Sequence, residues 1–175
     1  MVPRPVLVIG AIAAAFAAGF ATYLYVFPRS LMDTTLTRIA EAGDGVNTWR
    51  PARRASPESR RVVRPSPDLA YAICVYDLSN GPVRLTIAPW KDYWSISLYA
   101  INTDNFWTRN DVNSPNGVDV AITKRSDTPV PAGVVRVVSP SQRGAALVRR
   151  LAPTDDAYGA AAELNQTDVC RAIGN

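Results

Sequence analysis

The chain has 175 residues, of which 47% are hydrophobic and 19% are charged, and its formal net charge is +4. It contains no histidine, which excludes Ser-His-Asp and Cys-His catalysis, histidine-ligated metal sites and the most common general base near neutral pH. We expect neither a metal site nor a cofactor.

The first predicted element is an apolar helix at the N-terminus. Residues 6–27 include no Asp, Glu, Lys or Arg, and as a helix rising ~1.5 Å per residue they would span about 33 Å, enough for a hydrocarbon core of roughly 30 Å. Aromatic residues and then an arginine close this run, as at a membrane interface: Tyr23, Tyr25, Phe27 and Arg29. We interpret residues 1–28 as a transmembrane anchor, which makes the lipid bilayer a partner. A cleaved signal peptide and a buried helix of a soluble domain are the alternatives.

Small residues repeat every four positions along the predicted anchor. Gly10, Ala14 and Ala18 would share one helix face, and small residues on one face let two helices approach closely in lipid. These three are candidates for helix association, with an alanine-rich span that has no such role as the alternative.

Residues 29–67 are predicted to form a short helix and a linker. Ser30–Ala42 carries apolar residues at near-helical spacing and is either a short helix or a continuation of the anchor. The next segment is rich in Arg, Pro and Ser and has little apolar periodicity, so we interpret it as a solvated linker. It lacks the interleaved aromatic residues and the motif spacing of nucleic-acid-binding proteins, and we expect no nucleic-acid partner.

Residues 68–175 are predicted to form one β-rich domain with a C-terminal helix. Runs rich in Val, Ile, Tyr and Thr alternate with Gly, Pro and Asn turns. The predicted strands are Ala70–Asp77, Val83–Ala88, Tyr93–Ile101, Val118–Thr123, Val134–Ser139 and Ala145–Leu151. Thr154 is predicted to cap a helix that runs to about Arg171. Short strands at this spacing with few helices favour an antiparallel β-sandwich.

Two cysteines, Cys74 and Cys170, lie too far apart in sequence for a metal or redox motif. In an oxidising compartment they could form a disulfide that closes a long loop. Otherwise Cys74, inside an apolar run, would be a small buried hydrophobic residue.

The segment Arg64-Pro-Ser-Pro-Asp68 is the first candidate binding site. Its two prolines stiffen the chain and hold the two charged residues at defined positions. One interpretation is a rigid edge that contacts an anion or a substrate. The other is an extended entry into the first strand with a surface ion pair.

A second candidate is the polar segment Thr103–Asp111, predicted to be a loop after a strong strand. Asp104 and Asp111 could form a pair of carboxylates for glycoside-type hydrolysis, provided that the fold brings them together. Asn and Asp residues more often stabilise turns.

Several motifs together resemble one protein family. Arg64-Pro-Ser-Pro-Asp68, Tyr71, Tyr76-Asp-Leu-Ser-Asn-Gly-Pro82, Tyr93-Trp-Ser, Thr103-Asp-Asn-Phe106, Arg109-Asn-Asp111 and Ser139-Pro-Ser-Gln-Arg-Gly144 are similar, in order and spacing, to domain of unknown function 1254. The resemblance covers residues from about Trp49 to the end and implies an immunoglobulin-like β-sandwich without established catalytic residues. The candidate ligand-binding residues are Arg64, Asp68, Tyr71, Asp104, Asn105, Arg109 and Asp111.

Longer relatives join this domain to a second β-rich domain, domain of unknown function 1214. The resemblance therefore implies that a companion protein supplies the second domain here. Our leading hypothesis is a non-catalytic, membrane-anchored domain of the bacterial envelope that docks this companion. The alternatives are a hydrolase that uses Asp68, Asp104 or Asp111, and a small-ligand-binding module.

The orientation signals conflict. Arg4 precedes the span, whereas Arg29 and Arg38 follow it closely, and the positive-inside rule alone then favours a cytoplasmic C-terminal domain. The short N-terminus, the aromatic cluster and the two cysteines favour export. We predict a single-pass protein of the bacterial inner membrane with a cytoplasmic N-terminus, a periplasmic β-domain and a disulfide between Cys74 and Cys170.

Overall fold

A computed structural model of the chain describes residues 3–56, 59 and 65–173. The first element, α1, is one helix from Arg4 to Glu41, and it continues through Pro28 without a break. The apolar run and the predicted short helix are therefore parts of a single element, as one of the two interpretations of Ser30–Ala42 expected. In the described part of the chain, α1 is the one helix that is long and apolar enough to cross a membrane, and its apolar window has no buried residues.

The rest of the described chain forms nine strands and a second helix. The strands are β1 (Trp49–Pro51), β2 (Leu69–Asp77), β3 (Val83–Ile87), β4 (Trp94–Ala100), β5 (Asn105–Asn110), β6 (Val118–Thr123), β7 (Val135–Val138), β8 (Arg143–Leu151) and β9 (Val169–Ala172), and helix α2 (Asp155–Asn165) lies between β8 and β9.

These strands make two sheets. One has five strands in the order β1-β2-β8-β4-β5, and the other has four in the order β7-β6-β3-β9. The chain is thus mainly β with a long N-terminal helix. Neighbouring strands are antiparallel except β6 and β7, which are parallel. The exception differs from the wholly antiparallel arrangement that the sequence predicted.

The core lies between the two sheets. In β2, β4 and β8 of the five-stranded sheet and in β3 and β6 of the other, the inward side chains form one buried cluster. The alternating burial of β2 and β3 reflects the period of two in a strand, which sends successive side chains to opposite faces.

A disulfide crosses this core. It joins Cys74 of β2 to Cys170 of β9, with the two Cα atoms 6.6 Å apart and 96 residues between them in sequence. Both cysteines are buried. The bond therefore ties a strand of one sheet to an edge strand of the other.

A glycine explains part of the motif Ser139–Gly144. A Cβ atom on Gly144 would lie 2.2 Å from both the Tyr76 hydroxyl and the Tyr99 carbonyl oxygen, so only glycine fits. The Tyr76 hydroxyl also shares a hydrogen bond of 2.9 Å with the Ser139 hydroxyl. This motif holds the turn before β8 against β2 and β4.

Three predicted elements differ in the structure. Strand β1 lies inside the expected linker, where Trp49 packs on the core. The predicted loop Thr103–Asp111 contains β5, because its polar residues form an edge strand that pairs with β4. The terminal helix is capped by Thr154, whose hydroxyl accepts a hydrogen bond of 3.2 Å from Ala157 N, but it ends at Asn165 and the chain then turns into β9.

Candidate functional site

The outer face of the five-stranded sheet carries the features that could bind a partner. Side chains on this face alternate with the core residues along each strand. The C-terminal third of α1 covers one part of it. The uncovered part around Arg149 is mostly polar, and a groove lies between α1 and the β1–β2 side of the sheet.

The covering contact is an apolar seat around Leu36. This leucine is 1% exposed and lies in a cluster with Val75 of β2 and Ala145 of β8. Next to it, Asp33 and Arg143 form an ion pair of 2.8 Å. Arg50 of β1 also donates a hydrogen bond of 3.0 Å to the Ile39 carbonyl oxygen, near the end of α1. Because these contacts are spread along about two turns of α1, the helix is held on the sheet as one unit.

A groove of about 710 Å³ lies between this part of α1 and strands β1 and β2. Its walls are mainly apolar, and two arginines, Arg38 and Arg50, line it. Within the described residues, neither arginine forms an ion pair with a carboxylate. The lining residues are Leu31, Thr34, Thr35, Arg38, Ile39, Ala42, Arg50, Pro51, Ala52 and Ile73.

Arg149 organises the uncovered polar face. Its guanidinium donates hydrogen bonds to the Ser97 hydroxyl at 3.3 Å and to the Tyr99 hydroxyl at 3.1 Å. The Thr108 hydroxyl lies 3.4 Å from that of Ser97 and 3.0 Å from Oδ1 of Asn105. We call these five residues the Arg149 cluster. Among the described residues, no carboxylate forms an ion pair with Arg149, so the cluster presents a positive charge among hydroxyl and amide groups.

This environment changes the acidity of Tyr99. Burial raises the pKa of the phenol, but hydrogen bonds with Arg149, Asn105 and Ser97 and the charge of Arg149 outweigh burial, so the net pKa lies below its ordinary value. The cluster is therefore suited to hold a negatively charged oxygen or a hydrogen-bonding surface of a partner.

Two of the residues singled out from the sequence lie on this face. Asn105 is a member of the Arg149 cluster. Tyr71 stands directly opposite Arg149 in the register of β2 and β8, and its hydroxyl accepts a hydrogen bond of 2.9 Å from Ser66 N.

The remaining candidates are dispersed. Asp68 is exposed before β2, and Asp104 is exposed in the turn before β5, where it accepts a hydrogen bond of 2.6 Å from the Asn102 amide. Arg109 lies 4.9 Å from the centre of the Trp107 ring. Arg64 lies outside the described residues.

The structure does not bring the three aspartates together. Asp104 and Asp111 flank the two ends of β5, and at ~3.3 Å per residue they lie about 23 Å apart. Asp68 and Asp111 are at the same end of the sheet but three strand spacings apart, about 14 Å. A catalytic pair of carboxylates in a glycosidase lies roughly 5–9.5 Å apart. Within the described residues there is also no group of three His, Cys, Asp or Glu side chains that could hold a metal ion.

The sequence did not point to a buried ion pair on the inner side. Arg150 and Asp168 have fully buried side chains and an N–O distance of 2.8 Å, and Oδ1 of Asp168 also accepts a hydrogen bond of 2.9 Å from Ala88 N. Burial raises the pKa of Asp168, and the hydrogen bonds and charge of Arg150 offset this only in part. The pair connects β8 with the segment before β9. The sequence did contain one signal for a buried arginine, the pair Arg149-Arg150 in a predicted strand. Adjacent residues of a strand face opposite sides of the sheet, so one of these two arginines must point inward.

The small residues Gly10, Ala14 and Ala18 lie on the exposed part of α1, and a Cβ atom on Gly10 would meet no other atom within 4 Å. Helix association through them remains a prediction.

Comparisons with known proteins identify a family and a similar fold. A family model described as "Protein of unknown function (DUF1254)" matches residues 46–171. The crystal structure of the VPA0106 protein from Vibrio parahaemolyticus is similar, with a TM-score of 0.68 and 14% identity, over 86% of this chain and 36% of that chain. An uncharacterized protein from Burkholderia cenocepacia matches with a TM-score of 0.45 and 15% identity, over 63% of this chain and 32% of that chain. The chain thus spans about a third of the length of these two structures. No curated protein matches the sequence.

Proposed function

Because this chain belongs to the DUF1254 family of proteins of unknown function, and because its long apolar helix is seated on its β-domain, we propose that it is a membrane-anchored, non-catalytic domain of the bacterial envelope. In this proposal it docks a companion protein that supplies a second β-rich domain. The seat of α1 on the sheet is the observation that carries the proposal.

The seat matters because it fixes the domain relative to the membrane. A flexible linker would let the domain rotate freely relative to the membrane. A continuous helix with Leu36 buried and Asp33 paired to Arg143 instead holds one face of the sheet in a constant orientation relative to the membrane. A fixed orientation lowers the entropy that is lost when a partner binds. The length and composition of α1 also fit a signal sequence, so the anchor itself is part of the proposal.

We further propose that the two sheets form an immunoglobulin-like β-sandwich. Two features support this: one core is shared by both sheets, and a disulfide joins them, as in immunoglobulin domains. The pairing of Cys74 with Cys170 also supports an oxidising compartment, the periplasm, for the β-domain.

The companion is proposed to dock on the uncovered outer face, at the Arg149 cluster. The structure from Vibrio parahaemolyticus supports the existence of an additional unit, because most of that chain lies outside the region matched here. The positively charged guanidinium of Arg149 and the hydroxyl of the exposed residue Thr108 supply hydrogen-bond donors for such an interface.

Site-specific photocrosslinking tests this docking. A photoreactive residue replaces Thr108 on the outer face or, as the matched control, Val135 on β7 of the other sheet; both positions are exposed. The full chain is expressed in its own host, irradiated, purified in detergent and analysed by mass spectrometry. We expect one dominant adduct at position 108 with a protein whose sequence resembles domain of unknown function 1214, and none at 135. Background proteins alone, or equal adducts at both positions, would contradict the proposal.

A further inference from the structure

We infer that the groove between α1 and strands β1 and β2 binds one anionic phospholipid of the membrane that α1 crosses. The inference rests on the proposed anchoring of α1. It assigns a ligand to a site other than the Arg149 cluster.

The shape and lining of the groove suit an amphiphile. Its volume of about 710 Å³ falls within the usual range for ligand sites, roughly 300–1,000 Å³. Leu31, Ile39 and Ile73 provide apolar contacts for part of an acyl chain. The hydroxyl of Thr35 is already bonded to the Leu31 carbonyl oxygen at 2.8 Å, so this wall presents a methyl group rather than a free donor.

The charge in the groove is suited to a phosphate. Arg38 is exposed, and Arg50 uses Nη1 to bond the Ile39 carbonyl oxygen at 3.0 Å, which leaves other guanidinium N–H groups free for a ligand. The nearby carboxylate of Asp33 is engaged by Arg143 at 2.8 Å. Arg38 and Arg50 have no carboxylate partner in the described chain, and guanidinium groups bind phosphate oxygens with charge-assisted hydrogen bonds.

The position of the groove links it to the bilayer. Leu31 follows Phe27, the last residue of the apolar run, by four residues and so lies about 6 Å beyond its end, and Arg38 lies about 16 Å beyond it. Helix side chains point toward the N-terminus of the helix, which here is the membrane, and the long arginine stem extends further in that direction. The headgroup layer is roughly 5–8 Å thick in each leaflet. A lipid that is displaced slightly out of the bilayer therefore has its phosphate within reach of the Arg38 guanidinium, while its acyl chain lies along Leu31.

Native mass spectrometry of the full chain tests this inference. The protein is purified in an uncharged detergent and supplied with either dioleoylphosphatidylglycerol or dioleoylphosphatidylcholine. We expect one retained phosphatidylglycerol and little phosphatidylcholine. Arg38→Gln should weaken retention about fivefold, the factor for one juxtamembrane arginine. The matched control Arg136→Gln, an exposed arginine on β7 of the other sheet, should not change it.

A second variant separates the groove from general attraction to charge. Thr34→Trp fills the groove without altering a charge, and it should abolish retention of the single lipid. Retention that is equal for both lipids, unchanged by Arg38→Gln, or insensitive to Thr34→Trp would overturn the inference. These outcomes leave the docking proposal intact, because photocrosslinking at position 108 reports on a different part of the sheet. The anchoring is contradicted by a different result, the release of the chain from membranes by alkaline carbonate.

Discussion

Arg149 and Arg150 are neighbours in sequence with opposite environments. Arg149 points to the outer face and contacts Ser97 and Tyr99, whereas Arg150 points inward and pairs with Asp168. Strand periodicity explains the difference. The sequence placed both residues in a predicted strand, yet it could not show which of them faced the core, because the partners come from segments far away in the chain.

The pKa of Tyr99 tests the Arg149 cluster. Arg149→Met keeps an unbranched side chain over the phenol but removes the charge and the hydrogen bond that lower its pKa. Burial then dominates, so we expect the pKa of Tyr99 to rise. Labelled-tyrosine NMR titration, with Tyr99→Phe to assign the signal, measures this. Arg136→Met on the opposite sheet is the control. An unchanged or lower pKa in Arg149→Met would show that the guanidinium does not act on Tyr99.

At the scale of elements, strands with one buried apolar face were the most predictable. Runs rich in Val, Ile and Tyr predicted β2, β3, β4, β6, β7 and β8 to within a few residues. Strand β5 was missed because Asn105, Thr108 and Asn110 resemble turn residues, and only pairing with β4 makes them a strand. Strand β9 was missed because it has four residues, and its place depends on β3 and on the disulfide.

The seat of α1 is tested by Leu36→Ala. Leu36 is 1% exposed, and removing a buried leucine costs about 2–5 kcal/mol. We expect the free energy of local opening of residues 32–41 to fall by that amount, as measured by hydrogen exchange of the full chain in detergent micelles. Leu31→Ala, at a 55% exposed position of the same helix, should have little effect. Equal exchange in the two variants would mean that the helix is not seated on the sheet through Leu36.

At the scale of the whole molecule, a mainly β chain with an apolar N-terminal helix was predictable from composition and periodicity. The arrangement of the sheets was not, because strand order depends on long-range pairs such as β2 with β8. The outer face was only partly predictable: Tyr71, Asn105 and Thr108 lie in segments that the sequence had singled out, but nothing in the sequence marked Ser97 and Arg149 as residues of a binding surface. The separation of Asp104 from Asp111 likewise became known only when the segment between them proved to be a strand.

The disulfide contributes to the stability of the whole domain. It closes a loop with a sequence separation of 96 residues, and removing such a bond from a small domain costs about 2–5 kcal/mol. We expect reductant to lower the free energy of unfolding in urea by this amount. The double variant Cys74→Ala/Cys170→Ala should be equally destabilised and insensitive to reductant. A wild-type protein whose stability does not respond to reductant would show that the bond is absent or without effect.

The central claim is that α1 anchors an exported β-domain, and a C-terminal fusion tests it most directly. Alkaline phosphatase, which is active only after export, is fused after Asn175 of the full chain, and its activity is measured in membranes washed with alkaline carbonate. We predict that most of the activity stays in the membrane pellet, because an uncleaved span of about 33 Å holds the exported domain there. Active enzyme in the soluble fraction, as a cleaved signal sequence would produce, or a fusion that remains inactive in the cytoplasm, would contradict the claim.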